Sequence, residues 1–326
     1  MNTTDSLIAN GHDNDLQYVS HVDEIPLTVY FIFLALISTS LNGLSIYLTQ
    51  KYDQLRVPHM YTRMAYAVFD IVFAISMAIH YSIAFQFPNA PKLAKCLTGD
   101  FCIALFFGTT QLTAFIALER YFYFCKPMVY DQYFSFRSIA ISSLLIFLIT
   151  QGYVIIKEFL YGRELQPLIG MCVFTFPVFH NISNLLIFVL PAVVVTLFSI
   201  CKIINLLRNI SVHPSVIPNA TYSEPMLRRR PARKGLRLIF LVSGAFWGTY
   251  IPAFVIRTVI FQVGYTWVSL NAYENPTIST IFRYTHYSIA LSTVVDPLIY
   301  FGVCKDLRTA FRRLYSNSGT FTWHDN

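Results

Sequence analysis

Seven consecutive apolar residues, Phe31-Ile32-Phe33-Leu34-Ala35-Leu36-Ile37, lie inside a longer run, residues 25–50, that contains no charged side chain. A helix of this composition is apolar all round, whereas a helix on the surface of a water-soluble protein is apolar along one stripe. The run is also long enough to cross a bilayer core, which takes about 20 residues. We therefore expect a transmembrane helix here.

Six further windows have the same character. They contain at most one charged residue each and cover residues 64–91, 101–118, 138–156, 165–201, 238–256 and 284–304. None alternates apolar and polar residues over about 10 positions, as a transmembrane strand does. Together the seven windows predict an all-α membrane protein, a bundle of seven transmembrane helices.

The overall composition excludes the soluble classes of protein. Of the 326 residues, 55% are hydrophobic and only 13% are charged. The membrane windows contain neither a His-Glu-x-x-His nor a Gly-x-Ser-x-Gly sequence, so we expect no enzyme. The net charge of +7 follows from loops on one side of the membrane and does not indicate a nucleic-acid partner.

The basic residues predict the orientation of the chain in the membrane. Eighteen of the 24 Lys and Arg residues, Arg63 among them, fall on alternate connections, and the positive-inside rule makes that side cytoplasmic. The chain then divides into an extracellular segment at 1–24, a seven-helix region at 25–304, and a cytoplasmic amphipathic helix with a tail at 305–326. We expect a multi-pass protein of the plasma membrane.

Two modifications are expected on the extracellular side. Asn2-Thr3-Thr4 is an acceptor sequence for N-glycosylation at Asn2. Cys96 and Cys172 both fall outside, where disulfides persist, and form the expected bridge. Cys102 is the competing partner.

Two carboxylates lie within the membrane windows, where an ionisable group costs about 2.5–3.5 kcal/mol and so marks a functional candidate. Asp70 and Asp296 both belong to the inner halves of their helices and can share one pocket. Two acids in one pocket either share a proton or hold a cation between them. Either a sodium ion or a plain hydrogen-bond network fits the oxygen atoms available, which would come from Asp70, Asp296, Asn42, Thr109 and Ser292.

A set of single residues spread over the helices resembles the rhodopsin-like (class A) G-protein-coupled receptors. The set begins with Asn42, Asp70 and Cys96, continues with Glu119-Arg120-Tyr121, Pro191, Phe246, Tyr250 and Pro252, and ends with Asp296-Pro297-Leu298-Ile299-Tyr300. The resemblance implies a bundle that opens at its cytoplasmic face when an extracellular ligand binds. Arg120 would then meet a heterotrimeric G protein, Tyr300 would swing inward beside it, and arrestin would be a further partner.

The chain departs from this family at the switch. Tyr250 stands where the family usually has tryptophan, and basic residues begin the sixth window, so that no acid there can pair with Arg120. Glu119 is left as the expected restraint of Arg120. We expect a weak resting lock and some basal signalling.

Missing residues argue against a biogenic-amine ligand, although Asp100 lies two residues beyond the relevant position, and they speak against light sensing. Cys102 lies 18 residues before Arg120, about 27 Å up the same helix face, where amine receptors of this family have an aspartate. The seventh window has no lysine before Lys305, and a retinal Schiff base requires one.

The outer halves of the helices offer an aromatic and basic pocket. Its expected members are His80, Tyr81, Cys102, Phe106, Asn184, Phe254, Arg257, Arg283, His286 and Tyr287. Arginine and histidine in a cavity suit a carboxylate or another anionic group, and the aromatic rings suit an apolar remainder. Alternatively, Arg257 and Arg283 lie at the rim and pair with Glu164 or Glu274.

Local sequence narrows the expected ligand further. Residues 55–61 and 117–130 look like the corresponding stretches of odorant receptors. This resemblance implies olfaction and a small odorant-like ligand, which can carry a carboxylate. The alternatives are a peptide or lipid receptor of the same fold and, from another class, a seven-helix transporter or channel.

Overall fold

The structure is a computed structural model that describes residues 25–87, 89–161, 163–166, 171–174, 182–212, 236–252, 255 and 276–316. Asn2, Phe254 and Arg257 lie outside the described residues. For Cys172, Arg283 and His286 the structure describes the backbone but not the side chain.

Each of the seven predicted windows contains a helix. We number them one to seven in chain order, with the bounds Ile25–Lys51, Pro58–Tyr81, Lys92–Cys125, Phe136–Tyr161, Leu190–Val212, Leu236–Pro252 and Pro276–Val303. In the described part of the chain, helices one to five are long and apolar enough to cross a membrane unaided. The predicted seven-helix bundle is confirmed.

Helix three is the centre of the bundle. It packs against helices two, four and five, while helix one packs against helices two and seven. Large apolar side chains on the outside of the bundle, such as Phe33 and Ile149, are exposed. This arrangement suits a bundle whose apolar outer face contacts lipid rather than water.

Proline sets where two of the helices begin. Pro58 is the first residue of helix two, and Val57 before it is extended, as a residue that precedes proline prefers to be. Pro127 likewise opens a short helix, Pro127–Tyr133, between helices three and four. The windows did not predict this short helix, because it carries too few apolar residues to form one.

Helix five begins with irregular backbone just before Pro191. A π-helical turn, Leu185–Val189, leads into the helix. Pro191 has no N–H to donate, which leaves a carbonyl group in this region without its usual partner. Gln111 of helix three donates a hydrogen bond from Nε2 to the carbonyl oxygen of Phe188 at 2.8 Å, so a side chain stabilises this turn.

Two short strands add to the predicted all-α fold. Strand β1, Arg163–Gln166, pairs antiparallel with strand β2, Met171–Phe174, in the connection between helices four and five. Strand β2 contacts helix three.

The predicted amphipathic helix is present. It spans Lys305–Ser316 and turns away from helix seven by 90°. Leu307 and Ala310 are buried in a cluster with Leu48 and Leu55, whereas Arg308 is exposed. This helix therefore closes the inner end of the bundle beside helix one.

Candidate functional site

Arg120 lies buried at the inner end of helix three. Its Nε atom is 3.3 Å from Oε2 of Glu119, and the two side chains are 8% and 0% exposed. Neighbouring residues of a helix point in different directions, so the guanidinium must fold back to make this contact. Glu119 therefore makes the contact with Arg120 on which the expected restraint depends, and no other ion pair of Arg120 occurs among the residues described.

The short helix after helix three supplies a further neighbour of this pair. Tyr130 is buried, and its burial, followed by the negative charge of Glu119, raises the pKa of the Tyr130 phenol. The phenol therefore stays protonated and can act as a donor toward the carboxylate. Tyr130 was not predicted as a site residue, although Pro127 indicates that a helix begins just before it.

Tyr121 points away from Arg120. Its ring centroid lies 5.4 Å from that of Phe198 in an edge-to-face contact, so it packs helix three against helix five. Of the three residues Glu119-Arg120-Tyr121, only the first two form the switch contact in this structure.

The end of helix seven is buried against the inner halves of helices one and two. Asp296 is fully buried and accepts a hydrogen bond from the Tyr66 hydroxyl at 2.7 Å. Pro297 lies inside the helix and Tyr300 is buried one turn below Asp296. The predicted switch residues of helix seven thus face the core of the bundle.

The inner polar pocket contains the guanidinium of an arginine that was expected in a cytoplasmic loop. Arg63, counted among the cytoplasmic charges, is buried: its Nη2 donates to Oδ1 of Asn42 at 2.8 Å, and its Nη1 lies 3.9 Å from Oδ2 of Asp70. The prediction that Arg63 is a loop charge is wrong. Charge counting assigns a residue to a side of the membrane by chain position, but a long side chain can extend back into the bundle.

The other predicted members of the pocket bond within their own helices. Thr109 donates to the carbonyl oxygen of Leu105, and Ser292 donates to that of Ile289. Asn42 also donates to the carbonyl oxygen of Thr293 at 3.0 Å, which ties helix one to helix seven.

Helix six contributes an aromatic cluster above the switch. Phe246 and Tyr250 are buried, and the ring centroid of Phe106 on helix three lies 4.5 Å from that of Tyr250. Trp247 packs edge to face against Phe246. Pro252, the last residue of the described helix, is exposed on its outer side.

Two predicted pocket residues of helix two belong to the packed core instead. The Tyr81 ring stacks on Phe31 with centroids 4.1 Å apart and is 1% exposed. His80 is buried, and its Nδ1 lies 2.9 Å from the hydroxyl of Thr98. Helical spacing predicted the inward-facing side, but spacing alone does not separate a cavity wall from a filled interface.

Tyr287 lies at the edge of the same packing. It is half-buried, and its ring contacts the Tyr30 ring edge to face with centroids 4.5 Å apart. Among the residues described, Tyr287 and Phe106 are the two predicted aromatic pocket residues that remain partly exposed.

Asn184 lies in a polar cluster between helices four and five. Its Oδ1 accepts hydrogen bonds from the Tyr153 hydroxyl at 3.0 Å and from Nζ of Lys157 at 3.1 Å. Lys157 was missed because it follows directly after the fourth uncharged window, which places it in a loop by charge counting alone.

The cysteines divide into two groups. Cys96 is buried at the outer start of helix three and is disulfide-bonded. Cys102, Cys125, Cys201 and Cys304 are free. The competing pairing through Cys102 is therefore wrong.

Comparisons with known proteins agree with the helical arrangement. The family described as "7 transmembrane receptor (rhodopsin family)" matches residues 41–300. The chain is 24% identical to parapinopsin of Ictalurus punctatus, over 93% of this chain and 87% of that protein. The crystal structure of squid rhodopsin matches with a TM-score of 0.72 and 16% identity, over 93% of this chain and 89% of the other.

Proposed function

This chain belongs to the rhodopsin family of seven-transmembrane receptors, and from that membership we propose that it binds an extracellular small molecule and activates a heterotrimeric G protein. The ligand would dock between the outer halves of the helices. The G protein would bind at the inner ends, where arrestin would compete for the same surface.

The contact between Arg120 and Glu119 carries this proposal. A buried arginine whose ion-pair partner lies beside it in its own helix can exchange that partner for a group of another protein without unfolding anything. Arginine also donates from a planar fork that suits carbonyl and carboxylate groups of a docking helix.

An aromatic contact between helices three and six supports a link between the proposed ligand site and the proposed G-protein site. Phe106 touches the Tyr250 ring on helix six, and it shares helix three with Arg120. Fourteen residues of helix separate Phe106 from Arg120, a rise of about 21 Å. A ligand that displaces the Phe106 and Tyr250 rings would move helix six relative to helix three.

A small, apolar ligand that carries a carboxylate fits the outer half best. Phe106 and Tyr287 offer aromatic surface, and the sequence adds Arg257 after helix six and Arg283 and His286 within helix seven. The resemblance of residues 55–61 and 117–130 to the corresponding stretches of odorant receptors supports a chemosensory role. A peptide or lipid ligand bound by the same fold is the alternative.

Light detection is a weaker candidate, although parapinopsin and squid rhodopsin are opsins by name. Residues 276–303 contain no lysine, and position 290, in the middle of helix seven, is a buried alanine. A Schiff base to a retinal aldehyde needs an amine on the protein. We therefore favour a diffusible ligand.

The orientation and modifications follow from the same proposal. The amino terminus would lie outside, with a glycan on Asn2. Cys172 would be the disulfide partner of Cys96, since the other four of the six cysteines are free and Cys172 lies on strand β2, which contacts helix three. The tail after residue 316 would lie in the cytosol.

Substitution of Arg120 tests the G-protein role. We expect Arg120→Ala to lose basal and ligand-stimulated signalling in cells while its surface expression persists. Arg137→Ala, which removes an exposed arginine at the start of helix four, is the matched control and should signal normally. Normal signalling by Arg120→Ala at equal surface expression would show that the role is wrong.

A screen of volatile compounds, carboxylic acids and amino acids tests the ligand class. We expect an apolar carboxylic acid to activate the receptor, and Arg257→Ala or Arg283→Ala to reduce its potency at least tenfold, which corresponds to about 1.4 kcal/mol. Equal potency in both variants would favour the rim-pairing interpretation.

A further inference from the structure

Arg63 is buried in the core of the bundle, although it is only the sixth residue of helix two. Its side chain is 1% exposed. Arginine near the end of a membrane helix normally extends its guanidinium toward water. Here the guanidinium is directed into the bundle, toward Asp70 two helical turns further along.

The guanidinium joins three helices. It donates to Asn42 on helix one at 2.8 Å and lies 3.9 Å from the Asp70 carboxylate on its own helix. Its central carbon lies 4.4 Å from the ring centroid of Tyr300 on helix seven. A cation over an aromatic face is attracted by the ring, and this attraction is strongest where water is absent.

With the Arg63 guanidinium in place, this pocket does not suit a sodium ion. Oδ1 of Asn42 accepts from Arg63, and Oδ2 of Asp296 accepts from Tyr66. A sodium ion bound to Asp70 would also lie beside the guanidinium, and two like charges repel strongly where the dielectric constant is low.

We propose that Arg63 is the resident counter-cation of this pocket, so that the receptor binds no sodium ion there, and that its contact with Tyr300 positions the inner end of helix seven. One side chain thereby supplies the positive charge beside the Asp70 carboxylate and links that charge to Tyr300 of the proposed switch. The sodium-binding part of this inference does not depend on the proposed G-protein function, and the experiment below uses no G protein.

Thermal unfolding of the purified full-length protein in sodium chloride and in N-methylglucamine chloride, at equal ionic strength, tests the proposal. We expect the native protein to unfold at the same temperature in both salts. Arg63→Leu should unfold at a lower temperature in N-methylglucamine chloride, and sodium should raise that temperature by roughly 3 °C because the ion can then enter the pocket. Arg63→Lys, which keeps the charge, should remain insensitive to sodium.

Two further variants separate this role from a general need for the side chain. Arg137→Leu is the matched control and should unfold like the native protein in both salts. Arg63→Leu combined with Asp70→Asn removes the charge and its counter-charge together, and should be more stable than Arg63→Leu alone. Sodium-specific stabilisation of the native protein, or no gain from the second substitution, would overturn the proposal; so would failure of both Arg63→Leu proteins to fold.

Discussion

At the scale of single residues, the proposed activation depends on which groups hold Arg120. Glu119 lies 3.3 Å away, and Tyr130 lies beside Glu119. The described part of helix six, Leu236–Pro252, offers no acid, and Arg237 at its start is exposed. A lock within one helix has no partner on the helix that must move, so it can open at little cost.

Glu119→Gln should therefore raise basal signalling. The substitution removes the negative charge that holds Arg120, a loss of about 1 kcal/mol, which shifts the balance between resting and active forms roughly fivefold. Basal nucleotide exchange at equal receptor density measures this. Asp131→Asn, an exposed acid in the short helix nearby, is the control and should leave the exchange rate unchanged. A lower rate for Glu119→Gln would contradict the restraining role.

At the scale of helices, the packing of helix two on helix three depends on a small residue. A Cβ atom built at Gly108 would lie 2.6 Å from Cε1 of Phe69 and 3.6 Å from the Thr150 hydroxyl on helix four. A contact of 2.6 Å is too short for carbon atoms, so a larger residue at Gly108 must push the Phe69 ring away. Gly108 therefore sets the distance between the two helices.

Gly108→Ala should lower the free energy of unfolding by about 1–3 kcal/mol. Its melting temperature in detergent measures the effect. Gly152→Ala is the matched control, because nothing lies within 4 Å of its added Cβ, and it should be neutral or stabilising. Phe69→Leu combined with Gly108→Ala should recover part of the loss. An unchanged melting temperature for Gly108→Ala would contradict this packing.

The helices were predictable, and several of their details were not. Uncharged runs of about 20 residues predict membrane helices because charge in lipid is costly, and all seven were found. The π-helical turn at Leu185–Val189 depends on Gln111, a contact between residues 77 positions apart. Such a contact cannot be read from local sequence. The strands at 163–174 were missed because they lie within or beside a long apolar window.

The candidate site was predicted in part, for a physical reason. Glu119, Arg120, Asp296 and Tyr300 lie at the inner end of the bundle as expected, because chain position along a straight helix fixes depth in the membrane. The surroundings of the Arg63 and Tyr81 side chains were predicted wrongly. The depth of a residue in the membrane does not determine whether its side chain faces a cavity, the solvent around a loop or a neighbouring ring. Only the packed structure supplies that.

At the scale of the whole molecule, helix three is the centre of the bundle, and Arg120 lies buried at its inner end. The likeness to parapinopsin and squid rhodopsin extends over 93% of the chain, yet helix seven has no lysine. The shared fold therefore does not by itself carry the ligand of those proteins over to this chain. This combination is what we expect of a family that keeps its helical frame and varies the lining of its outer half.

Nucleotide exchange on a purified G protein tests the central proposal most directly. The native chain, reconstituted into lipid nanodiscs, should accelerate exchange on at least one class of G-protein α-subunit even without ligand, because its resting lock is weak. Empty nanodiscs and the Arg120→Ala protein should not. Exchange at the rate of empty nanodiscs for every class of α-subunit, with the native protein folded and with active ligand present, would contradict the account.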